Sequence, residues 1–330
     1  MSERPGRNLG FELVRVTEAA ALAAGRWMGR GQKEAGDAAA VEAMRLMLAT
    51  VEMDGVIVIG EGEKDEAPML FNGEAVGDGT GPAVDVAVDP VEGTRLLAHG
   101  WPDAIAVIAV APRATMWSPG PAFYMNKLVV GPDAREAVSP ATLRAPVSET
   151  LAAIGEAKHK PVRDLTVFIL DKPRHAELIA AVRAAGVRVL LRTDGDVAGA
   201  LLAATPGSGI DVLMGIGGTP EGVIAACAVR ALGAAMLGQL APQKPGEREA
   251  VLAAGLHLDR ILTERDLVQS EDVFFAATGI TDGVLLPGVR YTGAGATTDS
   301  IVVRGKSGTR RTIHAEHRWD KLMTISPIPY

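Results

Sequence analysis

The chain has 330 residues, 48% hydrophobic and 22% charged, with 33 basic against 40 acidic side chains and a formal net charge of -7. That apolar content excludes disorder over the whole length, and the length is enough for a full core in one large domain or two. The acidic balance, without any basic run, argues against sequence-blind nucleic-acid binding, and the single cysteine, Cys227, excludes both an intramolecular disulfide framework and a cysteine-ligated zinc or iron–sulfur site.

Aromatic residues make up 4% while glycines number 38, a balance that suits helices packed tightly on sheets. The first eight residues carry no apolar signal core. The longest apolar helix-like stretch, residues 223–238, is interrupted by Arg230 and is too short to span a bilayer. A soluble cytoplasmic protein with no membrane or nucleic-acid partner is expected.

In chain order, residues 11–28 are rich in Ala, Leu and Glu and predict a helix ended by Gly29-Arg30-Gly31. A second helix is predicted over residues 34–51, with Val41, Met44, Met47 and Leu48 at helical spacing. Residues 56–59 predict a short buried strand that runs into a glycine-broken acidic turn, Gly60-Glu61-Gly62-Glu63. Over residues 84–89, Val84, Val86 and Val88 alternate with Asp85, Ala87 and Asp89, as on a strand with two unlike faces. Strands are predicted over 105–110 and 123–130. The proline-rich stretch 131–146 marks a candidate boundary. Beyond residue 150 the pattern is strand–helix alternation, with strands over 165–170, 187–191 and 210–214 and helices starting near Pro173, Asp196 and Gly218. This suggests βαβ units around a parallel sheet. Residues 273–277, 283–286, 296–304 and 309–317 read as terminal strands.

The acids fall where strands end. Glu61 follows one apolar strand, and Asp89-Pro90-Val91-Glu92-Gly93-Thr94 ends another. In α/β sheets the loops at the carboxyl ends of strands form the ligand crevice. Carboxylates gathered there repel one another, and hard divalent cations such as Mg²⁺ or Mn²⁺ resolve the conflict. Pro90 fixes the exit from the strand, Gly93 permits close backbone approach, and Thr94 offers a hydroxyl and an N–H at a helix start. Singly, each acid is also an ordinary turn or cap residue; the motif as a group is harder to explain that way. Lys33 and Asp37 share one helix face, where an exposed ion pair is the plainer reading.

In the second half, Asp171-Lys172-Pro173-Arg174-His175 brings two cations to a helix start, a plausible anion clamp. Arg192-Thr193-Asp194-Gly195-Asp196 and Gly215-Ile216-Gly217-Gly218-Thr219-Pro220-Glu221-Gly222 also follow strands. The glycines of the latter suit a sugar or phosphate, or close helix–sheet packing, and Glu221 is a further candidate ligand. Competing motifs fail. Pro220 stands where a dinucleotide fingerprint needs glycine, Ser300 stands where a P-loop needs glycine before Gly305-Lys306-Ser307, and the spacing of His314, Glu316 and His317 is not that of a zincin.

The stretches 29–37, 59–70, 84–94, 171–175, 193–196 and 215–222, taken in order, resemble the class II fructose-1,6-bisphosphatases, within the lithium-sensitive, metal-dependent sugar-phosphatase superfamily. Glu92 in Asp89-Pro90-Val91-Glu92-Gly93-Thr94 marks this class, because the other classes usually carry Asp there. The resemblance implies a layered α-β-α-β-α fold with mixed sheets. It divides into a metal-binding phosphatase domain over residues 1–150 and a sugar-phosphate-binding α/β domain over 151–330, with the active site between them. It implies two Mg²⁺ or Mn²⁺ positions, one held by Asp37 and Glu61 and the other by Asp89, Glu92 and Glu221. Thr94, with Gly93, would sit at the scissile phosphate and help to activate water, assisted by Glu61 and by Lys33 near the metals. Glu92, Tyr124, Lys172, Pro173, Arg174, Asp194, Gly195, Asp196 and Gly218 would line the substrate. Gln32 replaces an acid expected in relatives. The expected reaction is metal-dependent hydrolysis of the 1-phosphate of fructose 1,6-bisphosphate by a homo-oligomer, dimer or tetramer. Sedoheptulose 1,7-bisphosphate, alone or as a second substrate, stays open. More distant alternatives are an inositol-monophosphatase-like enzyme and an inactive sugar-phosphate-binding regulator. The likeness fades after about residue 240, and no role is assigned there.

Overall fold

A computed structural model describes residues 9–62, 69–324, 326 and 328. The acidic run Glu63-Lys64-Asp65-Glu66 lies outside the described residues. In chain order the elements are α1 (Leu9–Gly25), α2 (Lys33–Leu48), β1 (Asp54–Ile59), β2 (Ala75–Val76), β3 (Ala83–Glu92), α3 (Thr94–His99), β4 (Ile105–Pro112), β5 (Tyr124–Val130), α4 (Val147–Ala157), β6 (Thr166–Leu170), α5 (Ala176–Ala184), β7 (Arg188–Arg192), α6 (Asp196–Ala204), β8 (Val212–Gly218), α7 (Thr219–Leu232), β9 (Ala235–Leu240), α8 (Glu247–Ala253), β10 (Ile261–Thr263), α9 (Glu264–Leu267), β11 (Phe274–Gly279), β12 (Arg290–Tyr291), β13 (Gly295–Arg304), β14 (Thr309–Arg318) and α10 (Trp319–Leu322). The α/β class with mixed sheets is as expected. Among the described residues no helix is long and apolar enough to cross a membrane.

The chain forms two compact units, one from residues up to Met116 together with those from Asp272 onward, the other Trp117–Glu271. The division therefore falls at residues 116/117 and 271/272, not near residue 150, and the C-terminal strands return to the first unit. The proline-rich stretch lies inside the second unit, as two 3₁₀ turns, Pro132–Ala137 and Thr142–Arg144.

In the first unit the sheet runs β12-β13-β11-β4-β3-β1-β2, with β14 along β13. Helices α1 and α2 pack on it and on each other, burying Leu13, Leu22, Met44 and Leu48 against Val86, Val88, Ile108 and Ala276. As the alternation at 84–89 predicts, Val84, Val86 and Val88 share one face and join the core cluster, but the opposite face is largely covered as well. β3 is buried along nearly its whole length, and Asp85 is satisfied internally, accepting from Thr115 N at 2.8 Å and Met116 N at 3.0 Å. Nor does the strand end at Asp89; it continues to Glu92. Registers Asp89↔Val107 and Glu92↔Ile105 place three steps on β3 opposite two on β4, a bulge at Pro90-Val91. Proline has no N–H for the ladder, so a central strand tolerates it only at such a bulge. Edge strand β14 alternates between half-buried and exposed positions and carries exposed Arg310, Arg311, His314, Glu316 and Arg318, which discourage further pairing. Its His317 Nε2 lies 2.8 Å from Thr298 Oγ1, which donates to Glu18 on α1 at 3.1 Å. Burial pushes the Glu18 carboxyl up to about 7. The strand expected over 283–286 is irregular loop.

The second unit is a mixed sheet, β10-β9-β5-β8-β6-β7, and not the parallel sheet that the alternation suggested. Only β6 with β7 and β6 with β8 are parallel; β5 runs antiparallel to both β8 and β9. Leu128, Val130, Val167, Ile169 and Val212 face α4 and α5, while α6 and α7 cover the other side. Glu247, 3% exposed, accepts from the N–H groups of Phe123, Tyr124, Gln243 and Lys244 at 2.7–3.1 Å and so anchors the start of β5.

Candidate active site

In the first unit, β1 and β3 are parallel neighbours, so their carboxyl ends open on one edge of the sheet. Glu61 leaves β1 two residues past Ile59. Its N–H donates to Leu70 O at 2.9 Å, and the turn needs glycine before it, because a Cβ on Gly60 would stand 1.9 Å from Leu70 O. At the end of β3, Asp89 is half-buried and its Oδ1 accepts from Val91 N at 3.0 Å, folding the carboxylate over the bulge. Glu92 is 4% exposed. Gly93 then takes φ +92°, a left-handed turn that favours glycine, and starts the six-residue α3 at half-buried Thr94.

The start of α2 docks on this same corner. Gly29 N and Gly31 N donate to Leu97 O and Ala98 O at 2.9 Å, and a Cβ on Gly36 would stand 2.8 Å from Leu97 Cδ2. Lys33 and Asp37 are thereby carried beside α3. Lys33 is exposed and Asp37 half-buried. Burial raises the Asp37 carboxyl above its usual range, and the charge of Lys33 partly offsets the rise.

In the second unit the glycine-rich stretch is not a loop after a strand. Gly215 to Gly218 are the end of β8, and α7 begins directly at Thr219. Their missing side chains make room for other residues' polar groups. A Cβ on Gly215 would meet His175 Nε2 at 2.9 Å, one on Gly217 would meet Asp196 Oδ2 at 1.8 Å, and one on Gly218 would meet Glu221 Oε2 at 1.7 Å. His175 braces the corner. Its Nε2 accepts from Ile216 N at 2.7 Å, which leaves Nδ1 to donate to Leu170 O at 2.7 Å, and burial pushes its pKa down. The helix expected near Pro173 opens instead as a 3₁₀ turn, Pro173–His175, before α5.

Arg174 Nε and Nη2 donate to Ile216 O at 3.1 and 2.8 Å, and its guanidinium lies 5.3 Å from the centre of the Tyr124 ring. Tyr124 itself pairs with Gly218 across β5 and β8. Lys172 Nζ reaches Asp194 Oδ1 at 3.4 Å. Gly195, at φ +95°, turns the chain into α6, whose first residue is Asp196. Tyr124, Lys172, Pro173, Arg174, Asp194, Gly195, Asp196 and Gly218 thus lie at one corner of the second unit.

Glu221 stands in the first turn of α7. Its Oε2 is buried without a hydrogen-bond partner. Burial, and then the charge of Asp196, raise its carboxyl above the usual range. Thr193 Oγ1 and Thr219 Oγ1 are likewise buried and unpaired. A buried carboxylate oxygen with no donor, beside other acids, is the environment a hard cation satisfies, so the donor set fits a divalent metal. Among the described residues, however, no three His, Cys, Asp or Glu side chains stand together as a ready metal cluster.

Lys127 escaped the sequence reading. It is 2% exposed on β5 and pairs with the Asp196 carboxylate. The signal available was a lone lysine inside an otherwise strand-like run, Tyr124 to Val130.

A family model for bacterial fructose-1,6-bisphosphatase, glpX-encoded, matches residues 7–317. The fructose-1,6-bisphosphatase 1 class 2 of Escherichia coli (strain K12) is 47% identical over 328 residues, covering 96% of each chain. The fructose-1,6-bisphosphatase class 2 of Shigella flexneri matches to the same extent.

Proposed function

The chain belongs to the glpX-encoded, class 2 family of bacterial fructose-1,6-bisphosphatases, a metal-dependent phosphatase family, and from that premise we propose that it hydrolyses the 1-phosphate of fructose 1,6-bisphosphate to give fructose 6-phosphate and phosphate. The observation that carries the metal-dependent reading is Glu221: a buried carboxylate whose Oε2 has no donor, with Asp196 raising its proton affinity further. We assign cation binding, as two Mg²⁺ or Mn²⁺, to Asp37, Glu61, Asp89, Glu92 and Glu221. Bound divalent cations supply charge neutralisation at the phosphate and make water a better nucleophile.

The protein's own groups bind and orient. Thr94, held by the Gly93 turn, offers its hydroxyl and N–H at the scissile phosphate, with Glu61 and Lys33 beside it as the other reacting-centre groups. Arg174 is oriented by Ile216 O and the Tyr124 ring, and with Lys172 it seats the distal phosphate. Asp194 and Asp196 accept sugar hydroxyls. This division of labour favours bisphosphates over monophosphates. A cytoplasmic homo-oligomer completes the proposal. Phosphate release should be fast from fructose 1,6-bisphosphate and slow from fructose 6-phosphate and inositol 1-phosphate. Comparable rates on the monophosphates would refute the clamp. The rate on sedoheptulose 1,7-bisphosphate decides whether the enzyme serves one sugar or two.

A further inference from the structure

Building on the bisphosphatase reading, we propose that Lys127 is a positioning residue that sets the sugar-binding groups Asp196 and Gly218 in place. It lies in the middle of β5, and its neighbours Leu128 and Val130 face the core under α4 and α5. Lys127 points the other way, toward α6 and α7. A lysine 2% exposed needs partners for its buried donors. Here Nζ donates to Asp196 Oδ2, and to Gly218 O at 2.7 Å. One ammonium therefore ties together β5, the first residue of α6 and the junction of β8 with α7. The backbone is shaped around it. A Cβ on Gly217 would stand 2.9 Å from Nζ, closer than the packing admits.

The adjoining cavity, lined by Lys127, His175, Asp196 and residues 215–217, holds only about 10 Å³. That is room for about one water and none for a sugar. Lys127 therefore acts through its two partners. It fixes one oxygen of Asp196, leaves the other side of that carboxylate to accept a hydroxyl, and cancels a negative charge that would otherwise repel a phosphorylated sugar. It also holds the Gly218 carbonyl inward. The reacting-centre groups Thr94, Glu61 and Lys33 belong to other elements, so loss of Lys127 should weaken binding more than turnover.

The test compares wild type with K127M, D196N and K127M/D196N. It reads KM and kcat on fructose 1,6-bisphosphate and the calorimetric Kd for fructose 6-phosphate. K127M should raise KM and Kd about tenfold or more and leave kcat within about threefold. The double variant should bind within about threefold of D196N, because most of the lysine's effect runs through that aspartate and the Gly218 tie alone adds less. KM and Kd within about twofold of wild type in K127M, a fall in kcat alone, or effects that multiply in the double variant would each overturn the proposal. If K127M does not fold, the double variant, which buries no unpaired charge at this pair, carries the comparison with D196N. Wild type that releases no phosphate counts against the reading of function; the calorimetric comparison still decides the role of Lys127.

Discussion

Replacing Gly217 by alanine puts one methyl group where the structure has none to spare. The added Cβ would stand 1.8 Å from Asp196 Oδ2 and 2.9 Å from Lys127 Nζ. A short aspartate at the first position of a helix, ion-paired to a buried lysine, cannot swing away cheaply. Overpacking a tight interior costs about 1–3 kcal/mol, and separating a buried ion pair costs about 3–5 kcal/mol when one partner is left alone. Partial displacement should fall between, at about 2–4 kcal/mol. For a unit of this size each kcal/mol lowers the melting temperature by about 2–4 °C, so a fall of about 4–16 °C is expected. Calorimetric melting of Gly217→Ala should show it, alongside a raised KM. Gly293→Ala is the control, since a Cβ there meets nothing within 4 Å; its stability should change by less than about 0.5 kcal/mol. Melting of Gly217→Ala within about 1 °C of wild type, with KM unaltered, would refute the claim that Asp196 is rigidly held.

Glu221→Gln should raise the melting temperature, because it removes a buried carboxylate with an unpartnered oxygen, and cut phosphate release about a hundredfold or more; a variant that is both less stable and fully active contradicts the assignment. Truncating Lys172 and Arg174 to alanine should raise KM for fructose 1,6-bisphosphate much more than for a monophosphate, and equal effects would remove the clamp. Glu18 titrates about 7 instead of 4.5, so its protonated form favours the fold. Stability is fully present below pH 4.5 and declines by up to about 3 kcal/mol as pH rises through 7. Glu18→Gln should match wild type near pH 4.5 and exceed it at pH 8 in urea melts; parallel pH curves would show that this carboxyl is not perturbed.

Much of this was legible from residue order. The strand ends at Ile59 and Leu170 and the starts of α6 and α7 follow from hydrophobic runs broken by glycine, proline and acids. The extension of β3 through Pro90 was not, because proline usually reads as an end, and only the partner strand's register reveals a bulge. Gly215 to Gly218 read as a stretch after a strand, suited to sugar or phosphate approach or to close helix–sheet packing. They are strand residues whose missing side chains admit His175, Asp196 and Glu221, contacts that depend on tertiary packing. Alternation puts Asp85 on the face opposite Val84, Val86 and Val88, but does not reveal that it is a buried acceptor for two backbone N–H groups some thirty residues on. Antiparallel β5 was found as a strand, but its place beside β8 and β9 turns a parallel reading into a mixed sheet, and strand order is invisible to periodicity.

Titration of divalent metal into the metal-stripped protein, followed by phosphate release from fructose 1,6-bisphosphate, tests the central claim most directly. Protein treated with excess EDTA should be inactive, Mg²⁺ or Mn²⁺ should restore release, and Glu221→Gln should need far more metal or fail to recover. Release that survives EDTA, or that responds to metal identically in wild type and Glu221→Gln, would contradict the account.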